Sequence, residues 1–414
     1  MKIQYRKTQW LIVLIIGFIV SLLLSSCGGG AAPEEIVIGA SIPKSGPLAA
    51  FGTYTEWGYT TAVNDINASG GLQVGDAKVP VKLIIYDDET RPEKVTENVE
   101  RLVLKDKVHG LLGSFTPPLV IPGAAIAERE KVPFISGGSP IRAFLGGNEA
   151  GWTYAWDIFF DEVDMTTQQY KTMDTVESNK KVALFTDNEE DGVVMGGIWE
   201  KILPEAGYEV VYHADFTVGT TEYGDLIRRA QEAEAEIVIA QMIPPDAIAL
   251  WKQMQTLDYR PKAVFFEKAA ETQDFWNALD PIAQGVMIAG FWHPELPSLP
   301  GAKELAERYQ SETGTPYGQV MATTYTAAQV LLDAISKAGS TDPEAINKAI
   351  GETDKTYVVG PVNFANGPGG HASALPNFML QWQNGQAEIV FPANLATAEI
   401  IYPLPPWSDI KQNP

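Results

Sequence analysis

Chemistry-bearing residues in this chain are spaced for binding rather than for catalysis. The four histidines, His109, His213, His293 and His371, show no HxH, HxxxH or HExxH spacing, so neither a metal site nor histidine-based catalysis is expected. No P-loop and no GxGxxG is present. Gly137-Gly138-Ser139-Pro140-Ile141 opens like a nucleophile elbow but lacks the closing glycine of GxSxG. It offers instead a hydroxyl and backbone N–H groups. Asp87-Asp88 and Glu189-Glu190-Asp191 read as loop carboxylates, and no nucleophile, base and orienting group converge. Gly113-Ser114-Phe115-Thr116-Pro117-Pro118 is more informative. Placed before a helix, its N–H groups and the hydroxyls of Ser114 and Thr116 suit a carboxylate. Thr116 acting alone as an N-cap is the plainer alternative.

Both stretches need strands to position them. Ile36–Ile42, Val79–Tyr86, Val108–Leu112 and Val132–Ile135 are short apolar runs with strand character. Between them, Tyr59, Val63 and Ile66 share one helical face, as do Val95, Val99, Leu102 and Val103 behind Pro92. A second series follows from about residue 158, with strand candidates at 181–186, 208–214, 236–240, 263–266 and 285–289. The alternation predicts α/β lobes with doubly wound parallel sheets, which bind ligands at the carboxyl ends of their strands. Ser139 and Thr116 both fall there. So does the loop Ser41–Pro47, with Phe51 just beyond it.

A chain of 414 residues has room for two domains, and 45% hydrophobic with 20% charged residues marks it as globular. Its net charge of −22 makes nucleic acid an improbable partner, since phosphate would be repelled. Lys2, Arg6 and Lys7 precede the 15-residue apolar run Trp10–Leu24, which fits a signal peptide and falls short of a membrane span. Leu24-Ser25-Ser26-Cys27 resembles a lipobox, and Cys27 is the only cysteine. Residues 1–26 are therefore expected to be a lipoprotein signal peptide. Cys27 is the expected lipid attachment point, and residues 27–33 a flexible tether.

Ile36–Gly58 (IVIGASIPKSGPLAAFGTYTEWG) resembles the start of a mature periplasmic binding protein of the leucine/isoleucine/valine-binding type. The likeness continues through NASGG (67–71), YDDETRP (86–92), LLGSFT (111–116), VPFISGGS (132–139) and GPVNF (360–364), and ends in Pro392–Trp407. It implies two hinge-linked lobes around one cleft, lobe one from 34–157 plus 293–356 and lobe two from 158–292 plus 357–414. It implies a monomeric, extracytoplasmic receptor that delivers an amino acid or amide-like solute to an ABC permease, with no cofactor. A ligand-sensing module of the same fold is the alternative, and a secreted α/β hydrolase a weaker one. The resemblance also carries a site: Phe51, Ser114, Phe115, Thr116, Gly138, Ser139 and Trp156 from the first lobe, Asp191 and Glu267 from the second. The family's carboxylate-binding serine and threonine fall at Pro117 and Pro140, and two of its pocket aromatics at Asp191 and Ile243. Glu267 takes the place of the acid that pairs with the ligand ammonium. The expected clamp is therefore weak toward a carboxylate, with an acidic wall of Asp191 and Glu267 facing an amine or amide.

Overall fold

The computed structural model describes residues 33–410; Cys27, the expected signal peptide and most of the tether lie outside the described residues. The first series runs β1 (Ile36–Ile42), α1 (Ala49–Ala68), the hairpin β2 (Leu72–Val74) and β3 (Ala77–Val79), then β4 (Val81–Asp87). It continues through α2 (Pro92–Leu104), β5 (Gly110–Leu112), α3 (Pro117–Glu130), β6 (Phe134–Ser136), α4 (Ile141–Gly146) and β7 (Ala155–Phe160). The second series is α5 (Glu162–Met173), β8 (Lys181–Asp187), α6 (Glu190–Glu205), β9 (Glu209–Phe216), α7 (Gly224–Glu232) and β10 (Ile237–Met242). It ends in α8 (Pro244–Thr256), β11 (Ala263–Lys268), α9 (Gln273–Leu279) and β12 (Met287–Gly290). The closing part comprises α10 (Ala302–Thr313), α11 (Gln319–Ala338), α12 (Pro343–Gly351), β13 (Asp354–Tyr357) and β14 (Gly360–Asn363). Three strands complete it: β15 (Ala372–Leu375), β16 (Phe378–Gln383) and β17 (Gln386–Phe391).

The strands form two sheets, ordered β15-β7-β6-β5-β1-β4 and β17-β16-β12-β11-β10-β8-β9. Every pairing in the first is parallel. The second is parallel from β9 to β12 and antiparallel where β16 and β17 are added. Strands covered on both faces read as continuous apolar runs, and β7, β10, β11 and β12 are buried along their whole length.

Two boundaries differ from expectation. β7 extends to Phe160, so the first sheet runs past residue 157. β15, inside the segment 357–414 expected in lobe two, pairs with Asp157–Phe160 in the first sheet. The chain returns from α12 through the β13–β14 hairpin to the exposed edge of β7 and fills it before leaving for the second sheet as β16.

The chain thus crosses between sheets after β7, after β12 and between β15 and β16. The last crossing is tied to the first turn of α5, which follows the first crossing: Asn377 donates from Nδ2 to Asp164 Oδ2 (3.1 Å) and from its backbone N to the same oxygen (3.3 Å). Among the described residues, no helix is long and apolar enough to cross a membrane.

α1 lies directly on α11. A Cβ at Gly58 would run into Thr324 Oγ1 and come within 2.8 Å of the Met321 carbonyl, so this contact requires glycine for closeness. Gly58→Ala should force the two helices apart and lower stability by about 1–3 kcal/mol, the usual cost of overpacking. Urea unfolding checks this, and an unchanged midpoint would mean that α11 shifts freely on α1.

Candidate functional site

The two first-lobe loops come together as the sequence requires, through the neighbouring strands β5 and β6. Thr116 N donates to the Gly138 carbonyl (2.7 Å), locking one loop to the other. Opposite them stand the ends of β10 and β11 and the first turn of α6. Phe115, Thr116, Gly138 and Pro140 face Asp191, Gln241, Lys268 and Glu271 across a narrow cavity, with Phe159 and Phe160 as its remaining wall.

The helix terminus next to this cavity is not an anion site. Pro117 and Pro118 lack N–H groups, and Leu119 N and Val120 N both donate to the Thr116 carbonyl. With Thr116 N also engaged, no donor is left for a carboxylate. Nor does Thr116 cap α3 with its side chain. It sits at φ 70°, a sparsely populated conformation for a threonine, and its Oγ1 reaches across the cleft to Asp191 Oδ2 (3.3 Å).

Four expected site residues therefore line the cavity: Phe115, Thr116, Gly138 and Asp191. Three more buttress it. Phe51 stacks on Phe115 with ring centres 4.1 Å apart, Ser114 Oγ donates to Asp88 Oδ2 (2.7 Å), and Ser139 is fully buried behind the loop. Two lie elsewhere. Trp156 stacks on His371 and donates from Nε1 to Asn347 Oδ1 (2.8 Å), which makes it packing of the β7 flank. Glu267 accepts from Gln169 Nε2 (2.6 Å) on one oxygen and from Ala289 N (2.9 Å) on the other. Successive strand side chains point to opposite faces, so Lys268 and not Glu267 turns to the cavity. Burial pushes the Glu267 carboxyl up to about 7.

Lys268 changes the electrostatics expected of the acidic wall. Its Nζ lies 2.8 Å from Asp191 Oδ2, 3.3 Å from Glu189 Oε2 and 3.7 Å from Asp187 Oδ2. These three carboxylates are close enough together to hold a metal ion, but the lysine ammonium takes that position. Burial favours the neutral amine, yet Asp191, Asp187 and Glu189 outweigh it and hold Lys268 charged. Burial likewise pushes the Asp187 carboxyl up, to about 7, against the pull of Lys268. Gln241 Nε2 also donates to Asp191 Oδ2 (2.7 Å).

What remains unsatisfied points to a ligand. Asp191 Oδ1 and Glu271 Oε2 are buried and have no hydrogen-bond partner. A buried acceptor without a donor is costly, so such atoms ask for one. Glu271 is pushed well above the usual carboxylate range, by burial first and by Glu267 second. Gln241, Lys268 and Glu271 escaped the sequence reading. The signal for Lys268 was strand alternation after Phe265-Phe266; Glu271 lies in the loop beyond β11, where spacing alone gives no direction.

The two sheets, their crossings and a narrow cavity at the strand ends define a two-lobed fold. The chain belongs to the periplasmic binding protein family, whose model matches residues 35–387. It is 26% identical to Leu/Ile/Val-binding protein homolog 7 of Brucella abortus, over 93% of this chain and 99% of that one. Its fold matches the leucine binding protein LivK of Thermotoga maritima with TM-score 0.76 and 22% identity, covering 86% and 97% of the two chains. It also matches LivJ of Streptococcus pneumoniae in complex with isoleucine, with TM-score 0.75 and 20% identity, covering 89% and 100%.

Lys268→Met should cost about 3–5 kcal/mol at pH 7.5, because it leaves buried carboxylates without their counter-charge. Asp187 has a folded-state pKa above its unfolded one, so stability falls as pH rises toward 7 and returns as pH drops. The loss should therefore shrink at pH 5, as seen by urea unfolding at both pH values. A deficit that grows on acidification would show that the cluster is not held by charge.

Proposed function

We propose that this chain captures a small, donor-bearing organic solute, an amino acid or amide-like molecule, outside the cytoplasm and delivers it to the permease of an ABC importer. A lipid on Cys27 keeps it at the membrane surface. The observation that carries the solute class is the pair of unpartnered carboxylate oxygens, Asp191 Oδ1 and Glu271 Oε2, in a cleft walled by Phe115, Phe159 and Phe160. An ammonium or amide N–H satisfies such acceptors, while the rings take an apolar body. The prolines at 117, 118 and 140 leave few donors for a carboxylate, which favours amides and amines over standard amino acids. The relatives' names and the isoleucine in LivJ favour the amino-acid end of the same range.

Closure follows from linkage. A solute touching both lobes binds the closed form better than the open one and shifts the population toward it. The Thr116–Asp191 hydrogen bond joins the lobes at the same place.

Thermal shifts of the purified protein against branched-chain amino acids, their amides, ureas, polyamines and aromatic amines test the class, since a ligand of the native state raises stability as ln(1 + [L]/Kd). Amides or amines should give the largest shifts, and Asp191→Asn should diminish them. Shifts confined to carboxylates without an amino group would contradict the reading. Separately, Cys27→Ser should release the protein from the membrane fraction of the producing cell. Retention of the variant there would rule out a tether at Cys27.

A further inference from the structure

Glu271 lines a second, roomier cavity as well. Its walls come from the loop before α11 (Tyr317), the crossing segment after β12 (Trp292, His293) and the added strand β16 (Leu380, Trp382). Neither tryptophan spends its N–H on this space: Trp292 Nε1 donates to the Val358 carbonyl (3.0 Å) and Trp382 Nε1 to that of Ala270 (2.8 Å). What they leave for the cavity is ring surface.

The polar groups have fixed directions. Glu295 N donates to His293 Nδ1 (3.2 Å), so the proton of the neutral ring is on Nε2. Burial holds the imidazole below its usual range and keeps it neutral. His293 Nε2 lies 3.1 Å from the Tyr317 hydroxyl and must donate to it, which leaves the phenolic hydrogen unspent. Glu271, 8% exposed, contributes Oε2 with no partner. The cavity thus combines one open donor, one open acceptor and aromatic walls.

We infer that this second cavity seats the ring of a small aromatic amine or amide, with its N–H group on Glu271 and any carbonyl oxygen on the Tyr317 hydroxyl. This rests on reading the chain as a solute receptor and gives an aromatic ring a second seat, beside Trp292 and Trp382, in addition to the wall of Phe115, Phe159 and Phe160. Glu271 then serves both cavities.

The test titrates purified protein with phenethylamine, L-phenylalaninamide and L-leucine by calorimetry, with tryptophan emission as a second signal. Both aromatic probes should bind and alter the emission. Glu271→Gln should weaken both by about tenfold or more, because a bound ammonium draws the Glu271 carboxyl into its charged form and the amide can supply no charge. Tyr317→Phe should weaken phenylalaninamide, which has a carbonyl, by about tenfold more than phenethylamine, which has none. If Glu271→Gln does not fold, the Tyr317→Phe difference decides alone. Equal effects of Tyr317→Phe on both probes would overturn the placement and leave the receptor reading intact. So would binding of leucine with both aromatic probes silent. Silence of all three, joined by silence of the wider solute panel, would overturn both.

Discussion

An ammonium ion that is 5% exposed has to be surrounded by negative charge, and meeting that demand organises the second lobe's side of the cleft. Lys268 ends β11 at φ 60°, and around it gather the end of β8 (Asp187), the N-cap of α6 (Glu189) and its first turn (Asp191). Asp191 then does two further things with one oxygen: it accepts from Gln241 within its own lobe and from Thr116 in the other. The contact between lobes is therefore an extension of a charge cluster. Its other oxygen is buried without a hydrogen-bond partner.

The first lobe answers with little polarity of its own. Two prolines remove the N–H groups that a helix start would present, and Thr116 is held in a strained backbone conformation by its bond to Gly138. A second strained residue, Lys268, faces it across the same cavity. Such strain persists only where surrounding structure over-determines it, and it gathers at ligand clamps. The outcome is a cleft rich in acceptors and rings and poor in free donors, the opposite of a site shaped for a lone carboxylate.

Much of the architecture was readable because buried parallel strands are unmistakable apolar runs and their helices are amphipathic. α5 was not, since its inward face is largely polar: Thr166, Gln169 and Thr172 are buried beside Met165 and Met173. Gln169 is there to serve Glu267 and to accept from Trp199 Nε1, a network invisible to hydrophobic periodicity. β15 escaped for a different reason. A four-residue strand that pairs with β7, more than two hundred residues earlier, depends on long-range topology and not on local pattern. At the site, the loops after β5 and β6 were found from their hydroxyls and glycines, and Asp191 from its place in the family pattern. Glu267 was assigned by the same resemblance to a direction that strand pleating forbids. Trp156 shows that a large ring near a cleft is often spoken for, here by His371 and Asn347.

The bond between Asn377 and Asp164 has a mechanical side. Three separate linkers between two bodies can each yield in their own way and permit twisting, sliding and bending together. Asn377 in the last linker holds Asp164, in the first turn of α5 just beyond the first linker, through one carboxylate oxygen, so the two linkers are joined where they run side by side. A displacement of either linker must therefore carry the other with it or give up those two hydrogen bonds.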